Sequence, residues 1–295
     1  MPGNRAALLG YRSGSFGSRM LPTRTIGAAS RVIGTPVAAL MKQKRAVVAG
    51  NLRRVLGDNV GQDEVDRAVR DAFCYYIHYW MESFKLPYIR PEQFARHMSA
   101  EGFDNITKAT SAGRGVILAL PHLGSWDYAG AWMASIGYPM TVVAEPLDPP
   151  ELFDWFARLR RSLGLTVVAM GPGAAQAVLR ALREGKVVGL LSDRDLLGTG
   201  VEVKFFGERT TFPAGPATLA LRSGAALLPT GVYTEPRGQH HSVVRPPISL
   251  ERSGSLRADV ARITQDLAHG LEHLVRRAPG QWHLFQPNWP SDGRA

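Results

Sequence analysis

Hydrophobic positions change their spacing once along this chain, near residue 100. Before that point apolar residues recur at intervals of three and four over 31–56 and 65–84, the spacing of one helical face, with the turn-forming Gly57-Asp58-Asn59 between them. Pro87 and Pro91 punctuate the end of this region, so residues 1–100 predict an N-terminal helical part with amphipathic helices. From Gly113 onward, short apolar runs alternate with helical stretches, the signature of strands joined by crossover helices. Strands are predicted over 115–120, 141–144, 165–170, 187–191 and 226–233. Helices are predicted over 127–136, 151–163, 174–183, 214–223 and 256–277. Residues 101–295 therefore predict one continuous α/β fold: a central, mainly parallel sheet flanked by helices. The Gly171-Pro172-Gly173 loop reads as a tight strand-to-helix turn, because it lacks the Lys-Ser/Thr of a phosphate-binding loop.

The predicted strands also place chemistry. His122 follows the first of them through Pro121, and Leu123-Gly124-Ser125-Trp126-Asp127 then leads into a helical pattern. Five residues on one regular helix lie about 140° apart around the axis, so His122 and Asp127 cannot share a helical face. With His122 in the turn and Asp127 in the first helical turn, the carboxylate can point back and orient the imidazole. Glu145 comes directly after the strand 141–144, and Asp193 lies just past the strand 187–191. The carboxyl ends of parallel strands share one edge, where ligands bind, so His122, Glu145 and Asp193 are expected to line one cleft. Each carboxylate alone reads equally well as a helix cap or a solvated loop residue.

Charge adds a partner. The net charge is +10, and residues 1–57 hold ten Lys and Arg with no Asp or Glu, whereas the remainder balances. Arg5, Arg12, Arg19, Arg24, Arg31, Lys42, Lys44, Arg45, Arg53 and Arg54 alternate there with apolar stretches such as 6–9, 32–33 and 37–41. Such a pattern suits amphipathic helices lying on an anionic lipid surface, where each basic side chain contributes about 1 kcal/mol. Nucleic acid is the rival partner, but no reader motif or aromatic stacking platform accompanies the basic region. The longest uncharged run near the middle, 128–144, is too short for a spanning helix and is interrupted by Gly137 and Pro139. With no continuous apolar leader, an intracellular location is expected. Cys74 is the only cysteine, which excludes an internal disulfide and reads as an inert buried thiol.

The stretch PHLGSWD resembles the His-x4-Asp/Glu signature of glycerolipid and lipid A acyltransferases. Together with NLRRVLG, VAEPL, FARLRRSLG, LLSDRDL, VKFFGERTTFPAGPATLAL and QWHLFQPNW, it makes nearly the whole chain resemble the bacterial lipid A/lysophospholipid acyltransferases. Within that group the chain is most similar to the actinobacterial phosphatidylinositol mannoside acyltransferases. The resemblance implies that His122 deprotonates a mannose hydroxyl, with Asp127 completing the motif. It also places Glu145, Arg160 and Asp193 around the active site, Asp193 as a further catalytic residue and Glu145 and Arg160 as substrate-binding ones. Arg158 and Arg161 flank Arg160, whose choice rests on its spacing to Ser162-Leu163-Gly164; at the Asp193 position the pattern that the chain resembles has glutamate.

The implied donor is acyl-CoA, and the implied acceptor is a phosphatidylinositol mannoside at the cytoplasmic face of the membrane, with the enzyme held there peripherally. Lipid A type or lysophospholipid acylation, or an inactive lipid-binding homologue, is the alternative. A thioester carbonyl needs only a base and a stabilised oxyanion to accept an alcohol, so no covalent nucleophile is required. None is evident: no G-x-S-x-G elbow occurs, and Ser125 lies in L-G-S-W-D. Water in an empty acceptor site would hydrolyse the donor slowly. No cofactor and no metal is expected, since His269 and His273 lie four apart without a third ligand. His240 and His241 read as surface residues and His283 as a packed C-terminal one. Phe205, Phe206, Phe212 and Pro213 read either as core or as the lining of an acyl channel.

Overall fold

The periodic segment predicted over 31–56 divides in two in the computed structural model, which describes residues 17–18, 20–57 and 59–293. Helix α1 spans Ile26–Leu40 and α2 spans Lys42–Leu56, with Met41 leaving helical geometry between them at φ −88° and ψ 61°. Helices α3, Gln62–Ser83, and α4, Pro91–His97, complete the N-terminal part. The buried stripe of α1, Ile26, Ser30, Gly34 and Ala38, is mostly small, and small residues let backbones approach. At Gly34 a Cβ would lie only 2.7 Å from the Cα of Cys74 on α3, so a larger residue there would push the helices apart. Cys74 is buried, and burial pushes its thiol up, which keeps it unreactive. The opposite stripe of α1 is apolar and faces outward, with Val32 75% and Leu40 80% exposed.

Helix α2 belongs to the packed body. Its Val48 and Leu52 join Val65, Val69 and Phe73 of α3 and Phe285 near the C-terminus in one cluster. Part of the basic excess is engaged in contacts within the protein. Lys44 donates to the Phe285 carbonyl at 3.2 Å, Arg45 pairs with Asp66 at 2.7 Å, and Arg54 pairs with Glu208 at 2.6 Å and Asp292 at 2.9 Å. Arg5, Arg12, Arg19 and the stretch 6–9 lie outside the described residues, as does the side chain of Arg24.

The remaining elements are β1 (Met98–Glu101), α5 (Asp104–Ser111), β2 (Val116–Leu120), α6 (Trp126–Ser135), β3 (Met140–Ala144), α7 (Pro150–Ser162), β4 (Thr166–Ala169) and α8 (Ala174–Arg183). They continue with β5 (Val187–Leu191), β6 (Val201–Phe205), β7 (Glu208–Phe212), α9 (Gly215–Ser223), β8 (Ala226–Glu235), β9 (Gln239–Val244) and α10 (Leu256–Arg277). Seven strands form one sheet in the order β1-β9-β8-β2-β5-β3-β4, and only the β8–β9 pair is antiparallel. Strands β6 and β7 form a separate antiparallel hairpin.

The sheet is covered on both faces, which explains why β2 is buried at every position. Ile117, Ala119, Val188 and Leu190 face α8, α9 and α10 through Val178, Leu182, Ala217, Ile263 and Leu267. Val116, Leu118, Leu120 and Val187 face α5, α6 and α7 through Ile106, Tyr128, Trp132 and Leu159. No helix among the described residues is long and apolar enough to cross a membrane.

Candidate active site

Strands β2 and β5 pair in register, Leu120 opposite Leu191. Both chains then run two residues further, to His122 and Asp193, so the register itself sets these side chains opposite one another. The ladder extends through Ser192, whose N–H donates to the Leu120 carbonyl at 2.8 Å. His122 Nδ1–H donates to Asp193 Oδ1 at 2.6 Å, and the His122 backbone N–H donates to Oδ2 at 2.9 Å. Asp193 thus reaches the ring directly. Its carboxylate fixes Nδ1 as the proton-bearing nitrogen and leaves the lone pair on Nε2, the arrangement a general base requires. The His122 side chain is 19% exposed while that of Asp193 is fully buried. Burial works against the Asp193 charge, but His122 and the indole N–H of Trp282, at 2.8 Å from Oδ2, outweigh it and hold the carboxyl below its ordinary range.

The turn carrying His122 is shaped by strand β8 running beneath it. Gly124 has φ +60°, and a Cβ there would lie 2.2 Å from the Val232 carbonyl oxygen, so only glycine fits. Ser125 is buried with its hydroxyl on Thr234 at 3.0 Å, turned to the protein interior. From the other side, the C-terminal segment grips the turn: Gly124 N–H donates to Gln281 O at 3.0 Å, and His283 N–H donates to His122 O at 2.7 Å.

Asp127 is not the carboxylate that orients His122. It sits in the first turn of α6 with both oxygens taken: Arg160 donates through Nε to Oδ1 at 2.9 Å and through Nη2 to Oδ2 at 3.1 Å, and Tyr79 Oη–H donates to Oδ2 at 2.7 Å. Burial opposes the Arg160 charge, yet Asp127 outweighs it and raises its pKa further. Burial first, and then the Asp127 charge, push the Tyr79 phenol well up, so it stays a donor. Arg158 and Arg161 are exposed, and Arg160 is the member of the trio turned inward. Glu145 follows β3 on the same sheet edge and accepts from Arg194 Nη2 at 2.7 Å, directly after Asp193, with its own side chain 45% exposed.

His240 is not a surface residue: it lies in β9, 2% exposed, stacked on Tyr128 at 3.7 Å, with Nε2 2.9 Å from Glu82 Oε1. Its polar neighbours suggested a turn, but β9 is sandwiched between β1 and β8. Burial would raise the Glu82 carboxyl, yet His240 and His78 hold it well below the usual carboxylate range. His283 is packed as expected, and burial pushes its imidazole down to about 3. Phe205 and Phe212 are fully buried against one another, with Phe205 stacked on Trp289, and so belong to the core rather than a channel wall. Among the described residues no His, Cys, Asp and Glu side chains gather to hold a metal.

Sequence reasoning missed Trp282, Tyr79 and Asn288, whose Nδ2 donates to the Asp193 carbonyl at 3.2 Å. Two of them lie in QWHLFQPNW, where a tryptophan and an asparagine in an apolar segment were the available signal. Tyr79 was hidden in the aromatic run of α3.

Residues 11–291 match the family described as bacterial lipid A biosynthesis acyltransferase. The chain is 42% identical to the phosphatidylinositol mannoside acyltransferase of Mycobacterium tuberculosis over 222 residues, 74% of this chain and 68% of that protein. It is 37% identical to the protein of the same name from Mycolicibacterium smegmatis over 245 residues, 82% of this chain and 78% of the other. A lipid A biosynthesis acyltransferase of Haemophilus influenzae is 25% identical over 183 residues, 61% of this chain and 55% of that one. With nearly its whole length matched, and two relatives of this identity over more than two thirds of their length, the chain belongs to the bacterial lipid A biosynthesis acyltransferase family.

Proposed function

We propose that this protein transfers a fatty acyl group from acyl-CoA to a mannose hydroxyl of a phosphatidylinositol mannoside at the cytoplasmic face of the membrane, using His122 as general base and no cofactor. The observation that carries the reading is the 2.6 Å contact between His122 Nδ1 and the buried Asp193, which leaves Nε2 as a base on the ligand-binding edge of the sheet. The names of the mycobacterial relatives support the acceptor.

In the proposed reaction, Nε2 takes the hydroxyl proton as the sugar oxygen attacks the thioester carbonyl. The new C–O bond forms first. Collapse of the tetrahedral intermediate breaks the C–S bond, and the proton on Nε2 passes to the departing sulfur. Asp193 stabilises the imidazolium between these steps. Glu145, joined to Arg194 at the rim, is assigned to acceptor binding, and Arg160 acts from behind by holding Asp127 and the first turn of α6. The outward stripe of α1, with Val32 and Leu40, supports docking on an anionic bilayer, because a helix with its small residues inward and its large apolar ones outward is not patterned for water.

Radiolabelled palmitoyl-CoA with a panel of lipid extracts tests the assignment. The wild-type protein is expected to label mannolipid, and His122→Ala to lose transfer by about 10³-fold or more while binding anionic vesicles as before. Unchanged transfer by His122→Ala refutes the base, and label on phospholipid but not on mannolipid refutes the acceptor.

A further inference from the structure

Resting on the reading of His122 as the base, we infer that Trp282 is a positioning residue of the His122–Asp193 pair, acting through its indole N–H. The Asp193 carboxylate is wholly buried and has three donors among the described residues. Two of them belong to His122 itself, and the third is Trp282 Nε1–H, 2.8 Å from Oδ2. With Oδ2 bridged between the His122 backbone and the indole, the carboxylate plane cannot rotate, and Oδ1 stays aimed at Nδ1. One more donor on a carboxylate also spreads its charge and so tunes how strongly it holds an imidazolium.

The indole is itself immobile. Trp282 is 1% exposed, packed against the rings of Phe205, Phe206 and Trp289, and its backbone bridges Leu123 in the histidine turn. The same three-residue stretch therefore holds the base twice. Its backbone grips the turn through Gln281 and His283, and its side chain grips the carboxylate. Its base is anchored in turn to α2, where Asn51 Nδ2 donates to the Leu284 carbonyl at 2.9 Å.

A second buried tryptophan, whose N–H meets the backbone and not the carboxylate, gives an internal control. Trp289 is equally buried, but its Nε1–H donates to a main-chain carbonyl, that of Phe205 at 3.2 Å. Phenylalanine at either position keeps an aromatic ring and removes one N–H. If Trp282 acts on the carboxylate, only Trp282→Phe alters the chemistry.

The experiment measures palmitoyl transfer from palmitoyl-CoA to mannolipid against pH for both variants. Trp282→Phe is expected to lower kcat about tenfold with KM unchanged, a typical loss for a group supporting a functional one. It is also expected to move the acid limb of the profile to higher pH. Without the indole donor the carboxylate keeps more of its charge for the imidazolium, so a higher pH is needed to free Nε2. Trp289→Phe is expected to match the wild-type kcat and pH profile per folded molecule. Wild-type kcat and profile in Trp282→Phe, or the same loss in both variants, overturns the inference. Should Trp282→Phe fail to fold, the Trp282 indole N–H resonance of the wild-type protein decides. It is expected to shift with the midpoint of the acid limb, and a flat resonance overturns the inference. Failure of the base assignment is read separately, from undiminished transfer by His122→Ala.

Discussion

Two buried carboxylates stand near His122, and their surroundings differ. Asp193 is 71 residues away in sequence, and each donor to its carboxylate belongs to His122 or to the segment that grips the histidine turn. Asp127 is five residues away, yet its partners come from α3 and α7: Tyr79 and Arg160. Proximity along the chain therefore did not predict contact, whereas strand register did. Once β2 and β5 are known to pair, two residues past each end is one place in space. Asp127 instead faces the side of α6 that packs on the N-terminal helices, and it secures the helix on which the histidine turn is built.

The sharpest way to break this distinction is to neutralise each carboxylate in turn. Asp193→Asn keeps the shape but offers no fixed acceptor for Nδ1–H, so the wrong imidazole tautomer can form. A loss of kcat of about 10³- to 10⁴-fold is expected, comparable with triad carboxylates elsewhere, with KM little changed. Steady-state kinetics across the pH range measure it, and a loss under tenfold would assign the orienting role to another group.

For Asp127→Asn the expected damage is to stability. The change leaves the Arg160 guanidinium, 19% exposed, without its counter-charge, and breaking a pair of this kind costs about 3–5 kcal/mol. Replacing both partners with apolar residues, Asp127→Leu with Arg160→Met, removes the stranded charge and is expected to recover most of that loss in urea unfolding. If the double variant is no more stable than Asp127→Asn, the carboxylate matters for something beyond its pairing with Arg160.

The strand–helix alternation was legible because β2, β3 and β5 are short apolar runs and α8 and α10 keep a clean helical period. What escaped was the structure written in polar residues. β9 begins Gln-His-His, β1 is the four-residue edge strand Met-Ser-Ala-Glu, and β7 reads Glu-Arg-Thr-Thr-Phe, so none presents an apolar run. At the site, His122, Glu145 and Asp193 were recognisable because strand ends in a parallel sheet share an edge. The partner of His122 was not, since that needs the strand order, and Trp282 was not, since the loop that delivers it has no period to read.

The two carboxylate networks meet at His283, whose ring lies 5.8 Å from that of Tyr79 and whose backbone N–H holds the His122 carbonyl. Its Nε2–H points to the Gly124 carbonyl at 3.3 Å, and Nδ1 is buried without a hydrogen-bond partner among the described residues. Burial keeps the folded imidazole neutral, with its pKa down at about 3, while in the unfolded chain it titrates near 6.5. Between those values the unfolded state binds one proton more than the folded state. Folded-state stability from this residue is therefore complete above about pH 6.5 and falls as pH drops, by about 1 kcal/mol per pH unit until the folded imidazole itself takes the proton. Asp193 has the same sign but acts lower: its depressed carboxyl contributes stability that is lost only as pH falls below the ordinary aspartate range, so it adds little to the slope between pH 6 and 4. His283→Gln removes the titration without removing a polar side chain, and it is expected to flatten the slope of unfolding free energy between pH 6 and 4. Equal slopes in the two proteins would place the acid-sensitive group outside the segment that joins the networks.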